Sequence, residues 1–280
     1  MRSDTSRKLP IVLNDHAAGS WWPSFCFLLL LSLMLFVPLR LSAQTDTFIH
    51  SIDRIKKSVI PVLCGAFTIQ GQFYSQLTDG TGFFVDDSGH FVTAAHVIAD
   101  LKQITLQRPI PCTMAIYIPN DGWERNATAL NVKWLVFTDC DIDDSLDLAV
   151  CKPRDKIPNK IYPVTFDTFQ PPDGSPVAFT GFPLGVVEPL TSRGNIAAYR
   201  FVDDSDGPKE FIMDKGTWPG ASGSPVYSPQ GSVMGVILQR GLNEATGIAI
   251  ARPSSFVLKF LGSKGVTVAQ RSDKEKKRPH

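Results

Sequence analysis

From Ser58 to about Ile250 the chain breaks into short apolar or alternating runs separated by Gly, Pro, Asp and Asn. That rhythm constrains the fold more than any other feature of the sequence. The runs include GFFVDDSGHFVTA, TMAIYIPND, ALNVKWLVF, DLAVCKP, PVAFTGFP, GNIAAYRFV, EFIMD and SPVYSPQGSVMGVIL. Many short strands at close spacing, with turn residues between them, point to an all-β barrel or sandwich. Strands alternating with helical patterns would instead point to α/β units, and no such alternation is present. Asp86-Asp87-Ser88-Gly89 and Ser228-Pro229-Gln230-Gly231 each mark a hairpin turn. A Pro-rich stretch, QPPDGSP from Gln170 to Pro176, divides the strands into two sets. Helical spacing is confined to the flanks. Phe48, Ile49, Ile52 and Ile55 predict a short helix within Thr45 to Lys57, and Phe256, Val257, Phe260 and Leu261 predict a closing helix over Pro253 to Leu261.

The two ends differ from this middle. Arg2, Arg7 and Lys8 precede the apolar run Phe25 to Pro38, with Trp21 and Trp22 before it. The run is shorter than the stretch of about 20 residues that spans a bilayer comfortably. It suits a signal-peptide core, with Leu41-Ser42-Ala43 as a cleavage point, and it equally suits an uncleaved signal anchor. Residues 1–43 are therefore read as an export segment, and either alternative sends Gln44 onward to the periplasm or outside the cell. Any membrane contact is expected through that segment alone. Residues 263–280 end in RSDKEKKRPH and read as a solvated tail. With 28 Lys plus Arg against 27 Asp plus Glu, the chain has no basic footprint for nucleic acid. Cys64, Cys112, Cys140 and Cys151 remain beyond Cys26. An oxidising compartment permits two disulfides among these four, with three pairings open. Cys64 and Cys151 lie in apolar runs and equally fit buried thiols. The sequence has no Cys-x-x-Cys or His-x-x-His spacing, so no metal site is expected. Asn126-Ala127-Thr128 matches a glycosylation sequon.

Three segments carry chemistry together: Thr93-Ala94-Ala95-His96, Asp147-Leu148-Ala149-Val150 and Gly220-Ala221-Ser222-Gly223-Ser224-Pro225-Val226. Their order, His then Asp then Ser, is one in which a nucleophilic triad is found, and the gaps of about 50 and about 75 residues put Ser222 in the second strand set. A serine hydroxyl needs a positioned base at neutral pH. His96 suits that role, and Asp147 would hold the imidazole in the productive tautomer. Asp141, Asp143 and Asp144 stand nearby as rivals for the acid. The backbone N–H groups of Gly220 and Ser222 are placed to face a developing oxyanion, and glycine at 220 lets the turn form without a Cβ clash. Singly, each signal is ordinary; the conjunction is specific.

These motifs, with AFTGFPLGV, TSRGNIAA and GIAIARPSS, resemble the protease domain of trypsin-like peptidases of the HtrA (Deg) type from near Val59 to near Leu261. The resemblance implies two perpendicular six-stranded antiparallel β-barrels, about 58–168 and about 175–252, within a protease domain at 44–262. It also implies an active site between them, hydrolysis of peptide bonds in protein or peptide substrates, and no cofactor. Ser224 stands where HtrA proteins usually have a second glycine, and the Ser-Gly-Ser-Pro-Val turn is similar to that of glutamyl endopeptidases. Those enzymes are expected to line the specificity pocket with a histidine, and none lies between His96 and His280. Gly216 falls where trypsin-like proteases place the pocket base, so Lys/Arg specificity is disfavoured. Arg240 falls at the pocket wall, where it would attract an acidic side chain or point to solvent. With few residues after the closing helix, a PDZ domain is not expected. Two other readings compete with an endopeptidase: a catalytically silent binding or chaperone-like module, and an esterase, against which the order of the three residues counts.

Overall fold

The computed structural model describes residues 46–67, 73–107, 113–119, 132–157, 160–185, 188–201, 210–238 and 247–271. The export segment, Cys112, the sequon at Asn126, Arg240 and the end of the tail lie outside these. Among the described residues no helix is long and apolar enough to cross a membrane.

The strand-dense pattern folds as an all-β pair of barrels. In the first, β1 (Val59–Phe67), β2 (Phe73–Phe84), β3 (Phe91–Ala94), β4 (Thr113–Pro119), β5 (Val132–Asp143) and β6 (Leu148–Pro153) close in the order β1-β2-β3-β6-β5-β4. The short β7 (Thr165–Phe166) follows, and then β8 (Pro176–Gly181), β9 (Leu190–Arg200), β10 (Glu210–Met213), β11 (Pro225–Tyr227), β12 (Ser232–Leu238) and β13 (Ala249–Pro253). These run β11-β8-β9-β10-β13-β12, and pairing of β11 with β12 closes a second six-stranded barrel; β7 adds to β12 in parallel. All other pairings between these strands are antiparallel, as hairpin connections require. The two expected turns form: Val85 N–H donates to His90 O at 2.9 Å between β2 and β3, and Ser228 N–H to Ser232 O at 3.1 Å between β11 and β12.

The helices are α1 (Phe48–Lys56), α2 (Ala95–Gln107) and α3 (Ser254–Ser263). The first and last match the flanking periodicity. The second lies between the runs GFFVDDSGHFVTA and TMAIYIPND, where helical spacing is not expected from the sequence; its seam of Val97, Ile98 and Leu101 is fully buried. Each barrel has its own apolar core, built around Ile60, Phe91 and Phe137 in the first and Val177, Phe211 and Ile237 in the second. A third cluster joins them. Phe83, Val92 and Leu148 from the first barrel pack with Phe182, Tyr227, Val236 and Val257 from the second, and α1 adds Phe48 and Ile55. Full burial of each such side chain favours the folded state by about 1.5–3 kcal/mol, so this seam fixes the barrels against one another.

The described cysteines, Cys64, Cys140 and Cys151, are not inert thiols. Cys140 on β5 and Cys151 on β6 stand opposite each other in register, with Cα atoms 4.2 Å apart, and form a disulfide. Cys64 is also disulfide-bonded.

Candidate active site

His96 is the second residue of α2, immediately after β3, so the strand-to-helix junction aims its ring into the seam between the barrels. Asp147 ends the turn between β5 and β6. Its φ of 55° is left-handed, a conformation that Asp tolerates better than most residues. Several contacts hold it there. Its own carbonyl accepts from Ala95 N–H at 3.1 Å. Asp143 Oδ1 accepts from Leu146 N–H at 3.0 Å and from Ser145 Oγ at 2.6 Å, and the Ser145 hydroxyl keeps the Asp143 carboxyl below the usual range. Asp141, another rival, pairs with Lys264 at 3.3 Å. Asp147 is therefore the acid that faces His96.

The geometry is closed on both sides of the ring. Asp147 Oδ2 lies 2.8 Å from His96 Nδ1, and Oδ1 accepts from the His96 backbone N–H at 3.0 Å. His96 Nε2 lies 2.9 Å from Ser222 Oγ. Asp147 and Ser222 are each 4% exposed and shielded from water, while the His96 side chain between them is 17% exposed. With Nδ1–H donated to Asp147, Nε2 is the lone-pair nitrogen and can accept the serine proton.

Ser222 sits in the Gly-rich turn before β11. Gly220 adopts φ 92°, and a Cβ there would run into the Phe182 carbonyl, which is why glycine is needed. The turn's carbonyls are all occupied. Pro219 O accepts from Leu184 N–H at 2.7 Å, Ala221 O from Ser224 N–H at 3.0 Å, and Ser222 O from Thr81 N–H at 2.8 Å. Gly220 O accepts from Thr81 Oγ1 at 2.8 Å. A trans peptide points its N–H opposite its C=O, so pinning Pro219 O and Ala221 O turns the N–H groups of Gly220 and Ser222 the other way. Among the described residues neither N–H has an acceptor. They form a ready pair of donors for an oxyanion.

A family model for the trypsin-like peptidase domain matches residues 80–236, more than half of the chain. The chain belongs to this family. Among similar members of known trypsin-like peptidases is a probable periplasmic DegP-like serine endoprotease of Rhizobium meliloti, 31% identical over 183 residues, 63% of this chain and 31% of that one. The mitochondrial serine protease HTRA2 of Bos taurus is 28% identical over 191 residues, 66% of this chain and 36% of that protein. The chain thus spans about a third of the length of these relatives. The crystal structure of Deg5 shares the fold with a TM-score of 0.59 at 20% identity, covering 79% of this chain and 97% of the other.

Two residues of this trypsin-like domain that sequence reasoning did not single out also converge on the site. Thr81 was visible only as part of Gly-Thr-Gly, and Gly220, which accepts from its hydroxyl, is 139 residues away in sequence. Arg252 on β13 is buried, donates from Nε to Leu146 O at 2.9 Å and has Nη2 3.8 Å from Glu210 Oε1. Burial lowers its pKa, while Glu210, Asp147 and Asp143 act to raise it. Gly216 lies half-buried between β10 and the serine turn.

Proposed function

We propose that the protein is an exported serine endopeptidase in which His96, Asp147 and Ser222 are the catalytic triad and the N–H groups of Gly220 and Ser222 are the oxyanion hole. The observation that carries this reading is the 2.9 Å contact between His96 Nε2 and Ser222 Oγ, with Asp147 behind the ring. Ser222 Oγ attacks the scissile carbonyl carbon while His96 Nε2 takes its proton. Asp147 stabilises the resulting imidazolium. The negative oxygen of the tetrahedral intermediate accepts from Gly220 N–H and Ser222 N–H. The intermediate then expels the amine, which leaves with the proton from His96, and an acyl-serine remains. Water repeats the sequence: His96 deprotonates it, it attacks the ester carbon, and Ser222 Oγ leaves reprotonated.

Substrates in this reading are protein or peptide chains, in keeping with the DegP-like and HTRA2 relatives. The periplasmic relatives and the apolar run at 25–38 support export. Gly216 leaves the floor of the specificity pocket uncharged, which disfavours cleavage after Lys or Arg. The domain division is 1–43 for export, 44–262 for the protease and 263–280 for the tail. The test is hydrolysis of casein by wild type and Ser222→Ala, with fluorophosphonate labelling alongside. Loss of a triad nucleophile lowers turnover by about a million-fold in a comparable case. Equal activity in both proteins, or wild type that neither cleaves nor labels, would overturn the proposal.

A further inference from the structure

The two oxyanion donors belong to the 219–220 and 221–222 peptides, and the 220–221 and 222–223 peptides alternate with them. Both of these intervening peptides are held by one residue. Thr81 is fully buried on β2 of the first barrel. Its N–H donates to Ser222 O at 2.8 Å and its hydroxyl donates to Gly220 O at 2.8 Å. The same hydroxyl oxygen accepts from Phe182 N–H at 2.9 Å, so its donor direction is set. Phe182 leads into Leu184, whose N–H holds Pro219 O. Leu184 and Asp147 are the two non-glycine residues with left-handed φ among the described residues, and both lie against this site. On its other side, the Thr81 carbonyl accepts from Thr93 Oγ1 at 2.8 Å, three residues before His96. One threonine from the first barrel therefore ties the second barrel's oxyanion turn to the strand that delivers the base.

We infer that the Thr81 hydroxyl is a positioning residue for the oxyanion hole: it fixes the Gly220 carbonyl and the Phe182 N–H together, and so aims the Gly220 and Ser222 N–H groups at the developing charge. This rests on the serine-peptidase reading above. Removing the hydroxyl frees Gly220 O and leaves Thr81 holding the turn through its N–H alone, while Leu184 and Ser224 still hold Pro219 O and Ala221 O, so the turn keeps its fold but loses its aim. Misaimed donors weaken transition-state stabilisation more than substrate binding, and the loss is smaller than the 100- to 1000-fold, roughly, of deleting a donor outright.

The experiment compares wild type, Thr81→Val, Thr81→Ser, Thr81→Ala and Ser222→Ala in the full chain. It measures kcat and KM on fluorescein-labelled casein, the rate of fluorophosphonate labelling, and thermal unfolding. Thr81→Val is expected to lower kcat and the labelling rate by roughly 10- to 100-fold with KM within about twofold. Thr81→Ser, which keeps the hydroxyl, is expected to stay within about threefold of wild type, and Thr81→Ala to behave like the valine variant. The Ser and Ala variants differ by the hydroxyl alone, so they decide the matter if valine disturbs folding. Wild-type kcat in Thr81→Val or Thr81→Ala overturns the inference. So does a serine variant as impaired as alanine, or a loss seen only together with loss of the folded state. A wild type that neither cleaves nor labels removes the peptidase reading and this inference with it. An active wild type with a dead Ser222→Ala leaves that reading standing whatever the Thr81 variants do.

Discussion

Gly181, the last residue of β8, is expected to be coupled to Ser224, two residues after the nucleophile candidate Ser222. A methyl group built on Gly181 would overlap Ser224 Oγ, and would lie 2.6 Å from Thr81 Oγ1 and 3.3 Å from Ser224 Cβ. These neighbours are buried, so none can swing into solvent. Ser224 Oγ itself has no hydrogen-bond partner among the described residues. Gly181→Ala is thus an overpacking change, costing about 3 kcal/mol at the upper end of that class. Ser224→Ala deletes an unpaired buried hydroxyl and is expected to be neutral or stabilising by about 1 kcal/mol. In the double variant the worst overlap is gone, and the Thr81 Oγ1 contact and the milder one with the Cβ at 224 must relax. The methyl should then cost about 1–2 kcal/mol less than it does alone, the size expected for residues in contact. For a domain of this size that is roughly 2–4 °C per kcal/mol, so Gly181→Ala should melt about 6–12 °C lower and the second change should recover part of the loss. Thermal or urea unfolding of the four proteins measures the cycle. Additivity within about 0.5 kcal/mol would refute the idea that Gly181 exists to make room for Ser224.

Three further outcomes follow from other parts of the molecule. Asp147→Asn is expected to keep the fold but lower kcat by about 10⁴, because an amide no longer enforces the Nδ1–H tautomer of His96; steady-state kinetics with an unfolding curve check it. Arg252→Met should destabilise the protein by about 2–4 kcal/mol and lower kcat, since Leu146 O loses its donor and Glu210 a buried partner next to the Asp147 turn; unchanged stability and turnover would refute this role. Burial pushes the Tyr227 phenol up to about 12, against the hydrogen bond it shares with the Thr180 hydroxyl. The unfolded phenol ionises near about pH 10, so this contribution is complete below that pH and is lost as pH rises towards 12, by about 2–3 kcal/mol. Urea midpoints from pH 9 to 12 should therefore fall more steeply in wild type than in Tyr227→Phe.

Much of this molecule was determined locally, and the sequence by itself was enough for that part. Strand-forming runs, the 86–89 and 228–231 turns and the two flanking helices depend on side-chain period and on turn residues, which neighbours in the chain decide. The residue types at 96, 147 and 222 carry their chemistry wherever they are placed, and their order was recognisable. Helix α2 is not marked in the sequence, because an apolar seam as short as Val97, Ile98 and Leu101 does not separate helix from strand. Only the tertiary structure decided which of four nearby acids faces His96, because Asp143 and Asp141 are withdrawn by Leu146, Ser145 and Lys264, contacts that no spacing rule reveals. It likewise decided that Cys140 pairs with Cys151, through a strand register set by the closure of the first barrel. Thr81 and Arg252 are the clearest cases of this limit. Each acts on a segment more than 100 residues away, through hydrogen bonds that exist only once the two barrels have packed along their shared apolar seam.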